Sequence, residues 1–188
     1  MIKIGITGSI ASGKTTASKI LSYKRGPLFS ADNFVKKLYK NNNFKRLLTK
    51  EFNLEKKSNL KRLLKNKILK SKENIIKLEK LIHPRVRKEM KKFSIQHKRK
   101  SKVFYEIPLL IESRLMNYFD IIIYIRAKKK IRLRRFKVRG GDLKIFNMLN
   151  KNQLSDKKKI NFADHVVVNE KNLKFLKKNL LGIINSYV

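Results

Sequence analysis

The feature that most constrains the fold is a glycine-rich segment directly after the first apolar run. A short, largely apolar stretch, Ile2 to Ile6, leads to Gly8, four spacer residues and then Gly13, Lys14 and Thr15. This is the Walker A spacing of a phosphate-binding loop, which joins a strand to the helix that follows it. The sequence therefore predicts that an α/β sheet begins here and that its first loop holds phosphate groups.

Each residue type in this loop has a physical role. Glycine at positions 8 and 13 lets backbone N–H groups approach a polyphosphate with no side chain between them. Lys14 supplies a positive charge for the terminal phosphates, and the Thr15 hydroxyl is a ligand for Mg²⁺. The predicted nucleotide-binding residues of the loop are Gly8, Ser9, Ile10, Ala11, Ser12, Gly13, Lys14, Thr15 and Thr16. A glycine-rich turn before an ordinary helix is the disfavoured alternative, because four fixed positions seldom coincide by chance.

Length and cysteine content limit the architecture. The 188 residues suffice for one α/β domain but not for a second full domain. Without cysteine, neither a disulfide framework nor a Cys-ligated metal site can form. The chain runs from Met1 straight into a strand pattern, and no apolar run approaches the roughly 18 residues of a membrane span. We therefore expect a cytoplasmic protein with no membrane partner, and we favour a monomer.

The chain is strongly basic, with 49 Lys and Arg against 13 acidic residues and a formal charge of +36. Such a charge normally indicates a nucleic acid or another anionic partner. Here the basic residues are spread along the whole chain, and Lys, Asn and Ile, which have A/T-rich codons, are abundant together. Genome composition is the favoured explanation, and no specific nucleic acid partner is expected. The charge would still speed the association of a polyanionic substrate.

One long helical stretch interrupts the strand pattern. A second strand, Leu28-Phe29, ends just before Asp32, which places this carboxylate at the sheet edge where ligands bind. From 33 to 100 no strand candidate occurs, and the apolar spacing predicts successive helices. Pro84 fits the first turn of one of these helices, with His83 at its boundary.

The sheet resumes after this stretch. Val103 to Ile107 is a β-rich run, and its Glu106 resembles the Walker B acid that orients Mg²⁺ or its waters. Further strands are predicted at Ile121 to Ile125 and at His165 to Val168. Helices are predicted at 128–138, at 142–152 and over the last apolar stripe. Strands that alternate with helices indicate a parallel sheet wrapped on both faces.

Taken in order, the motifs of nearly the whole chain resemble those of the dephospho-CoA kinase family. The matching elements are the phosphate loop, Ser30-Ala31-Asp32, His83-Pro84, Pro108-Leu109-Leu110 with Glu112, Arg135 and Arg139 four apart, Gln153, Ala163-Asp164 and Asn169. Each is weak alone, whereas their order and spacing together are specific. Two positions depart from the family pattern. Ser30 stands where the family has a first Asp, and Glu170-Lys171 stands where a glycine is usual.

This resemblance implies transfer of the γ-phosphoryl group of ATP to the ribose 3′-hydroxyl of dephospho-coenzyme A, with Mg²⁺ as cofactor. It implies catalytic roles for Lys14, for Asp32 as the base and for Arg139 in a lid. Further implied site residues are Arg135 and Asn169 for ATP, Asp32, His83, Leu110 and Glu112 for the acceptor, and Thr15 with Glu106 for the metal. The implied fold is one P-loop NTPase-type α/β domain, with a core of about 1–32, 101–127 and 160–188, a helical acceptor-binding insertion of about 33–100 and a helical lid of about 128–159.

Other interpretations stay open at several positions. Asp32 can be a helix N-cap, His83 a structural residue and Glu112 the buried partner of a basic residue. Arg135 and Arg139 can form the solvated face of a basic helix. At the level of function, the alternatives are another small-molecule P-loop kinase, acting on a nucleoside or nucleotide, and a nucleic-acid-binding P-loop ATPase. The last lacks the clustered basic and aromatic repeats that grip a strand.

Overall fold

A five-stranded parallel sheet carries the fold. The computed structural model describes residues 1–54 and 60–187. The strands are β1 (Ile2–Gly8), β2 (Leu28–Ser30), β3 (Lys102–Glu106), β4 (Ile121–Arg126) and β5 (His165–Val168). They lie in the order β2, β3, β1, β4, β5, and all neighbours pair in parallel. The predicted parallel sheet is confirmed.

Helices connect and cover the strands. They are α1 (Lys14–Ser22), α2 (Ala31–Leu38), α3 (Asn42–Glu51), α4 (Leu60–Lys70), α5 (Lys72–Gln96), α6 (Lys129–Val138), α7 (Leu143–Lys151), α8 (Asp156–Ile160) and α9 (Leu173–Asn185). A 3₁₀ turn, Met116–Tyr118, precedes β4. The short helix α8 was not predicted from the sequence. Of the helices in the described ranges, none is both long and apolar enough to cross a membrane.

Aliphatic side chains of the two central strands form the main core. Ile4 and Ile6 of β1 are fully buried, as are Ile123 and Ile125 of β4. These positions alternate because successive residues of a strand point to opposite faces. Helices α1 and α9 cover this layer with Ala17, Leu21, Leu176, Leu180 and Ile184. The closing helix therefore packs as its apolar stripe predicts, except that Leu173 at its start is exposed.

The chain divides into two compact units. The first comprises residues 1–30 and 94–188 and contains the sheet, and the second comprises 31–93. Within the second unit, α3, α4 and α5 surround a separate apolar cluster of Phe44, Leu48, Phe52, Leu54 and Leu64 with partly buried neighbours. The described part of this unit contains helices and no strand, as the sequence predicts for the insertion. Residues 55–59 of the predicted insertion lie outside the described residues.

The predicted helix boundary at His83 is wrong. Pro84 lies inside α5, which runs without a break from Lys72 to Gln96. A proline inside a helix removes one N–H donor and usually kinks or ends it. Here the Arg85 guanidinium donates to the Leu81 carbonyl at 2.6 Å, so a carbonyl in the turn before the proline gains a side-chain donor. Apolar residues on both sides of Pro84, among them the fully buried Met90, add packing that favours a continuous helix.

Candidate active site

The phosphate loop lies at the carboxyl end of β1, where the strand order changes direction. The chain leaves β1 toward β2 and β3 on one side of the sheet and later crosses to β4 and β5 on the other. In open parallel sheets, ligands bind at such a switch point. The fold therefore places the loop at the position best suited to hold a ligand.

Two glycines allow the loop to pass very close to its neighbours. A Cβ at position 8 would lie 2.4 Å from the Ile125 carbonyl oxygen, and one at position 13 would lie 2.2 Å from Nδ2 of Asn169. Gly13 also has a φ of +100°, which residues with a side chain rarely adopt. Only glycine fits either position without moving strand β4 or Asn169.

Helix α1 begins at Lys14, and its first N–H groups lie at the end of the loop. Its N-cap residue, Gly13, makes no side-chain cap hydrogen bond. The N-terminus of a helix suits an anion, because its N–H groups and its dipole both favour negative charge. The Lys14 side chain folds back along the loop, and its Nζ donates to the Ser9 carbonyl at 3.0 Å. Lys14 is only 9% exposed, so its charge lies against the loop and not in solvent.

Thr15 and Glu106, which come from separate sequence motifs, are in direct contact. The Thr15 hydroxyl donates to Glu106 Oε1 at 2.5 Å. Glu106 is the last residue of β3, is 3% exposed and pairs across the sheet with Ser30 of β2. Hydroxyl and carboxylate oxygens are ligand types that suit Mg²⁺. The structure thus brings together the two residues that the sequence assigns to the metal.

Helix α6 carries Arg135 to the loop. Its Nη1 lies 3.4 Å from the Ser12 carbonyl oxygen. Burial lowers the pKa of Arg135, repulsion from Arg139 and Arg134 lowers it further, and Glu170 opposes the shift. Arginine nevertheless stays charged in proteins. A crowded positive charge therefore stands beside the loop, and a phosphate group bound there would relieve the repulsion.

Arg139 and Asn169 occupy different settings. Arg139 caps the C-terminus of α6 and is exposed, and Gly140 follows with a φ of +77°. Asn169 comes directly after β5, is 7% exposed and donates from Nδ2 to the Ser12 carbonyl at 2.8 Å. Asn169 therefore bonds the loop to the end of β5, which is separated from β1 by β4. The predicted contacts of both residues with the nucleotide stay predictions.

Glu112 forms the buried ion pair that the sequence left open as an alternative. Its Oε1 lies 2.7 Å from Lys159 Nζ and accepts from the Leu154 N–H at 3.1 Å. The Lys159 side chain is fully buried. Within the described part of the chain, neither Lys159 Nζ nor Glu112 Oε2 makes a well-aligned hydrogen bond. The ion pair uses the carboxylate that the resemblance assigns to the acceptor, and that assignment stays a prediction.

An open cavity of about 730 Å³ adjoins Glu112. It is lined in part by Arg114, Met116, Asn117, Leu154 and Phe162. Leu110 is not among its lining residues, because the Leu110 side chain is fully buried and packs toward Gly5. Any acceptor contact by Leu110 would therefore have to come from its main chain.

Asp32 and His83 belong to the second compact unit. Asp32 is exposed and lies in the first turn of α2, one residue past its start at Ala31, so it is inside the helix and not its N-cap. His83 is partly buried within α5. Burial lowers its pKa, Glu79 raises it and Arg87 lowers it. The roles predicted for both residues stay predictions.

Sequence reasoning missed four polar residues that contact the loop or its supports. They are Tyr124, Arg132, Asp156 and Lys159. Tyr124 stands within an apolar strand pattern, and the other three stand within basic runs that are typical of solvated helix faces. Gln153, noted only as part of the family pattern, accepts from the Ile10 N–H at 2.9 Å. No local spacing signal marks these contacts, because each joins residues far apart in the chain.

Comparison with known proteins agrees with this site. The family model described as dephospho-CoA kinase matches residues 2–174. A dephospho-CoA kinase of Rickettsia typhi is 35% identical over 193 aligned residues, covering 99% of this chain and 97% of that protein.

Solved structures show the same relationship. The crystal structure of TT1252 from Thermus thermophilus has a TM-score of 0.84 and 25% identity, covering 100% of this chain and 98% of that one. A dephospho-CoA kinase from Campylobacter jejuni has a TM-score of 0.69 and 25% identity, covering 98% of this chain and 96% of that one. Family match, full-length relatives and fold agree, and the chain belongs to the dephospho-CoA kinase family.

Proposed function

We propose that this chain transfers the γ-phosphoryl group of ATP to the ribose 3′-hydroxyl of dephospho-coenzyme A, which gives coenzyme A and ADP. The observation that carries the proposal is the contact between Thr15 of the phosphate loop and Glu106 at the end of β3, with Lys14 folded against the same loop. This arrangement suits a nucleotide's phosphates and their metal. Family membership supports the acceptor, and it favours this function over a nucleoside kinase or a nucleic-acid-binding ATPase.

The phosphoryl donor is held by the loop. Its backbone N–H groups and the start of α1 bind the phosphate oxygens, and Lys14 adds a full positive charge. Arg135 and Arg139 neutralise the charge that develops on the transferred group, and the repulsion already acting on Arg135 makes an anion there favourable. Asn169 holds the far side of the loop through Ser12. Phosphoryl transfer mainly requires such positioning and charge neutralisation.

Mg²⁺ fits the oxygen ligands at the end of the loop. The Thr15 hydroxyl would bind it directly, and Glu106 would bind it or orient its waters. When bound, the ion withdraws negative charge from the phosphates and so assists their transfer. Ser30 lies next to Glu106 on the neighbouring strand, so the carboxylate that the family has at this position is replaced here by a hydroxyl. Glu106 is therefore the acidic group at this strand end within the first unit.

Asp32 acts as the general base in this proposal. In the sequence it comes two residues after β2 ends, and ligands of open parallel sheets bind at the carboxyl ends of the strands. Asp32 is therefore the carboxylate proposed to accept the proton of the attacking hydroxyl. His83, the main chain near Leu110, and Glu112 with its adjoining cavity are proposed to bind the acceptor. We further propose that the protein is cytoplasmic and monomeric and that it has no nucleic acid partner. A reaction between ATP and a small-molecule acceptor is consistent with all three.

The test is a turnover assay with purified protein, ATP, Mg²⁺ and a panel of acceptors that includes dephospho-CoA, adenosine and deoxynucleosides. ADP release and product mass are measured for each. We expect phosphorylated product from dephospho-CoA, and product from a nucleoside alone would reject the proposed acceptor.

Asp32→Asn then tests the base. We expect it to keep ADP affinity and to lose most turnover, because the amide cannot accept the proton. Asp120→Asn is the matched control. Asp120 accepts from the Lys3 N–H near the amino-terminal end of β1, the end opposite to the phosphate loop. Its replacement should therefore leave turnover unchanged. Turnover by Asp32→Asn equal to that of the control would remove Asp32 as the base.

A further inference from the structure

A polar triangle joins the phosphate loop to β4 and α8, and two of its three members, Tyr124 and Asp156, belong to none of the predicted motifs. We name the three residues Ser9, Tyr124 and Asp156 the Ser9 clasp. The Ser9 hydroxyl donates to Asp156 Oδ1 at 2.6 Å, and the Tyr124 hydroxyl donates to the same oxygen at 2.7 Å. The two hydroxyl oxygens are 3.0 Å apart. Ser9 is 3% exposed, Tyr124 is fully buried and Asp156 is partly buried.

Ile10, the next residue of the loop, is held from the same side. Its N–H donates to Gln153 Oε1 at 2.9 Å, and its carbonyl lies 3.4 Å from Arg132 Nη1. Arg132 is itself fixed, since its Nη1 also donates to Asn150 Oδ1 at 2.8 Å and its Nε to the Ala127 carbonyl at 3.0 Å. Residues 9 and 10 are therefore bonded through side chain, N–H and carbonyl to groups in the 127–156 segment.

The charges around the clasp favour an ionised aspartate. Burial raises the pKa of Asp156, but hydrogen bonds from Ser9 and Tyr124 and the charges of Arg132 and Lys159 together lower it below its usual value. Burial raises the pKa of Tyr124, so its hydroxyl keeps the proton that it donates. Hydrogen bonds to a charged acceptor are stronger than neutral ones. The clasp is therefore a charged anchor for the loop.

This anchor acts where the loop leaves β1. The useful property of the loop is a row of N–H groups that already point at the phosphates before the nucleotide arrives. Without an anchor, Ser9 and Ile10 would move freely in the empty loop. Nucleotide binding would then have to order them, which would lower the affinity. Ala11 next to them has a φ of +57°, so the loop also contains a residue in an uncommon conformation that its surroundings must maintain.

We propose that Asp156 is a positioning residue for ATP, which, through Ser9 and Tyr124, holds the first spacer residues of the phosphate loop in their binding conformation. The segment that supplies the lid arginine Arg135 also supplies this anchor. It acts on the nucleotide through the loop and touches no reacting atom. The inference rests on the proposed use of the loop for ATP and is independent of the acceptor.

The experiment compares Asp156→Asn, Tyr124→Phe and Ser9→Ala with the unmodified chain. Affinity for ADP and for a non-hydrolysable ATP analogue is measured by calorimetric titration without acceptor, and KM for ATP, KM for dephospho-CoA and kcat are measured by turnover. We expect each variant to lose about tenfold in nucleotide affinity, as the loss of a hydrogen bond to a charged group predicts. KM for dephospho-CoA should stay within about twofold, because the clasp lies on the nucleotide side.

Two further comparisons separate positioning from simple stability. The double variant Ser9→Ala with Asp156→Asn should bind nucleotide no more weakly than the worse single variant, because both remove the same anchor. Asp120→Asn is the control for stability alone. It loses one hydrogen bond from the Lys3 N–H, near the amino-terminal end of β1 and away from the loop. Clasp variants that melt earlier but bind ADP as the control does would overturn the proposal, as would equal rises in both KM values. If dephospho-CoA proves not to be the acceptor, the nucleotide titrations still test this proposal, because they contain no acceptor.

Discussion

Replacing Lys159 with methionine tests whether its buried ion pair with Glu112 is structural. Methionine keeps most of the side-chain length and removes the charge. Because Lys159 Nζ lies 2.7 Å from Oε1, the change leaves a carboxylate whose side chain is only 15% exposed without its counter-ion. Breaking one side of a buried pair typically costs about 3–5 kcal/mol. We expect a fall of that size in the free energy of unfolding.

The measurement is equilibrium unfolding in urea, followed by far-UV circular dichroism because the chain has no tryptophan. The matched control is Lys128→Met. Lys128 Nζ lies 3.5 Å from Glu170 Oε2, but its side chain is 75% exposed. An exposed pair of this kind contributes about 1 kcal/mol or less. The two variants should also differ clearly in melting temperature, because each kcal/mol of lost stability lowers it by about 2–4 °C in a domain of this size.

A second variant identifies the cause of any loss. Adding Glu112→Leu to Lys159→Met replaces the ion pair with two apolar side chains, and such replacements are often neutral or stabilising. The double variant should therefore recover most of the stability. A Lys159→Met variant no less stable than Lys128→Met would contradict a structural role for the ion pair. In that case Glu112 does not depend on its buried partner, and a direct acceptor contact becomes the better explanation of its position.

Two more predictions concern the loop and its anchor. Gly13→Ala places a Cβ 2.2 Å from Asn169 Nδ2 at a φ of +100°. Such strain is of order 1–3 kcal/mol, so ADP titration should show roughly tenfold or greater loss of affinity. Because the folded-state pKa of Asp156 is lowered, its stabilisation is present above the ordinary value of 3.8 and is lost as the pH falls through the lowered one. The stability difference between the unmodified chain and Asp156→Asn should therefore be constant near neutral pH and shrink in acid, and a difference that grows in acid would contradict this assignment.

The sheet and the phosphate loop were predictable because their signals are local. The loop needs glycine at fixed positions, and β4 is a continuous apolar run because it is buried on both faces. The helix boundary at Pro84 failed for the opposite reason. A local rule says that proline starts or ends a helix, whereas the packed residues on both sides of Pro84 and the Arg85 side chain favour continuation.

The supports of the site were not predictable, because they depend on contacts over long sequence separations. Ser9 and Asp156 are 147 residues apart, and Thr15 and Glu106 are 91 apart. For the second pair, the sequence assigned each residue to the metal from its own motif but did not predict that the two side chains touch. Lys159 has no such motif. It is one of three consecutive lysines in α8, and only the fold shows that it alone of the three is buried.

The basic run of α6 illustrates how a fold selects among equivalent residues. From Lys128 to Arg139 eight of the twelve side chains are cationic, and the sequence alone does not say which of them contact the loop. Residues three or four apart share one face of a helix. Arg132 and Arg135 are so spaced, and they reach the carbonyls of Ile10 and Ser12 respectively. Arg139 has the same spacing at the helix end but is exposed, as are Arg134 and Lys137. One helix face therefore bonds to the loop through Arg132 and Arg135, and it is the face proposed above to present charge to the nucleotide's phosphates.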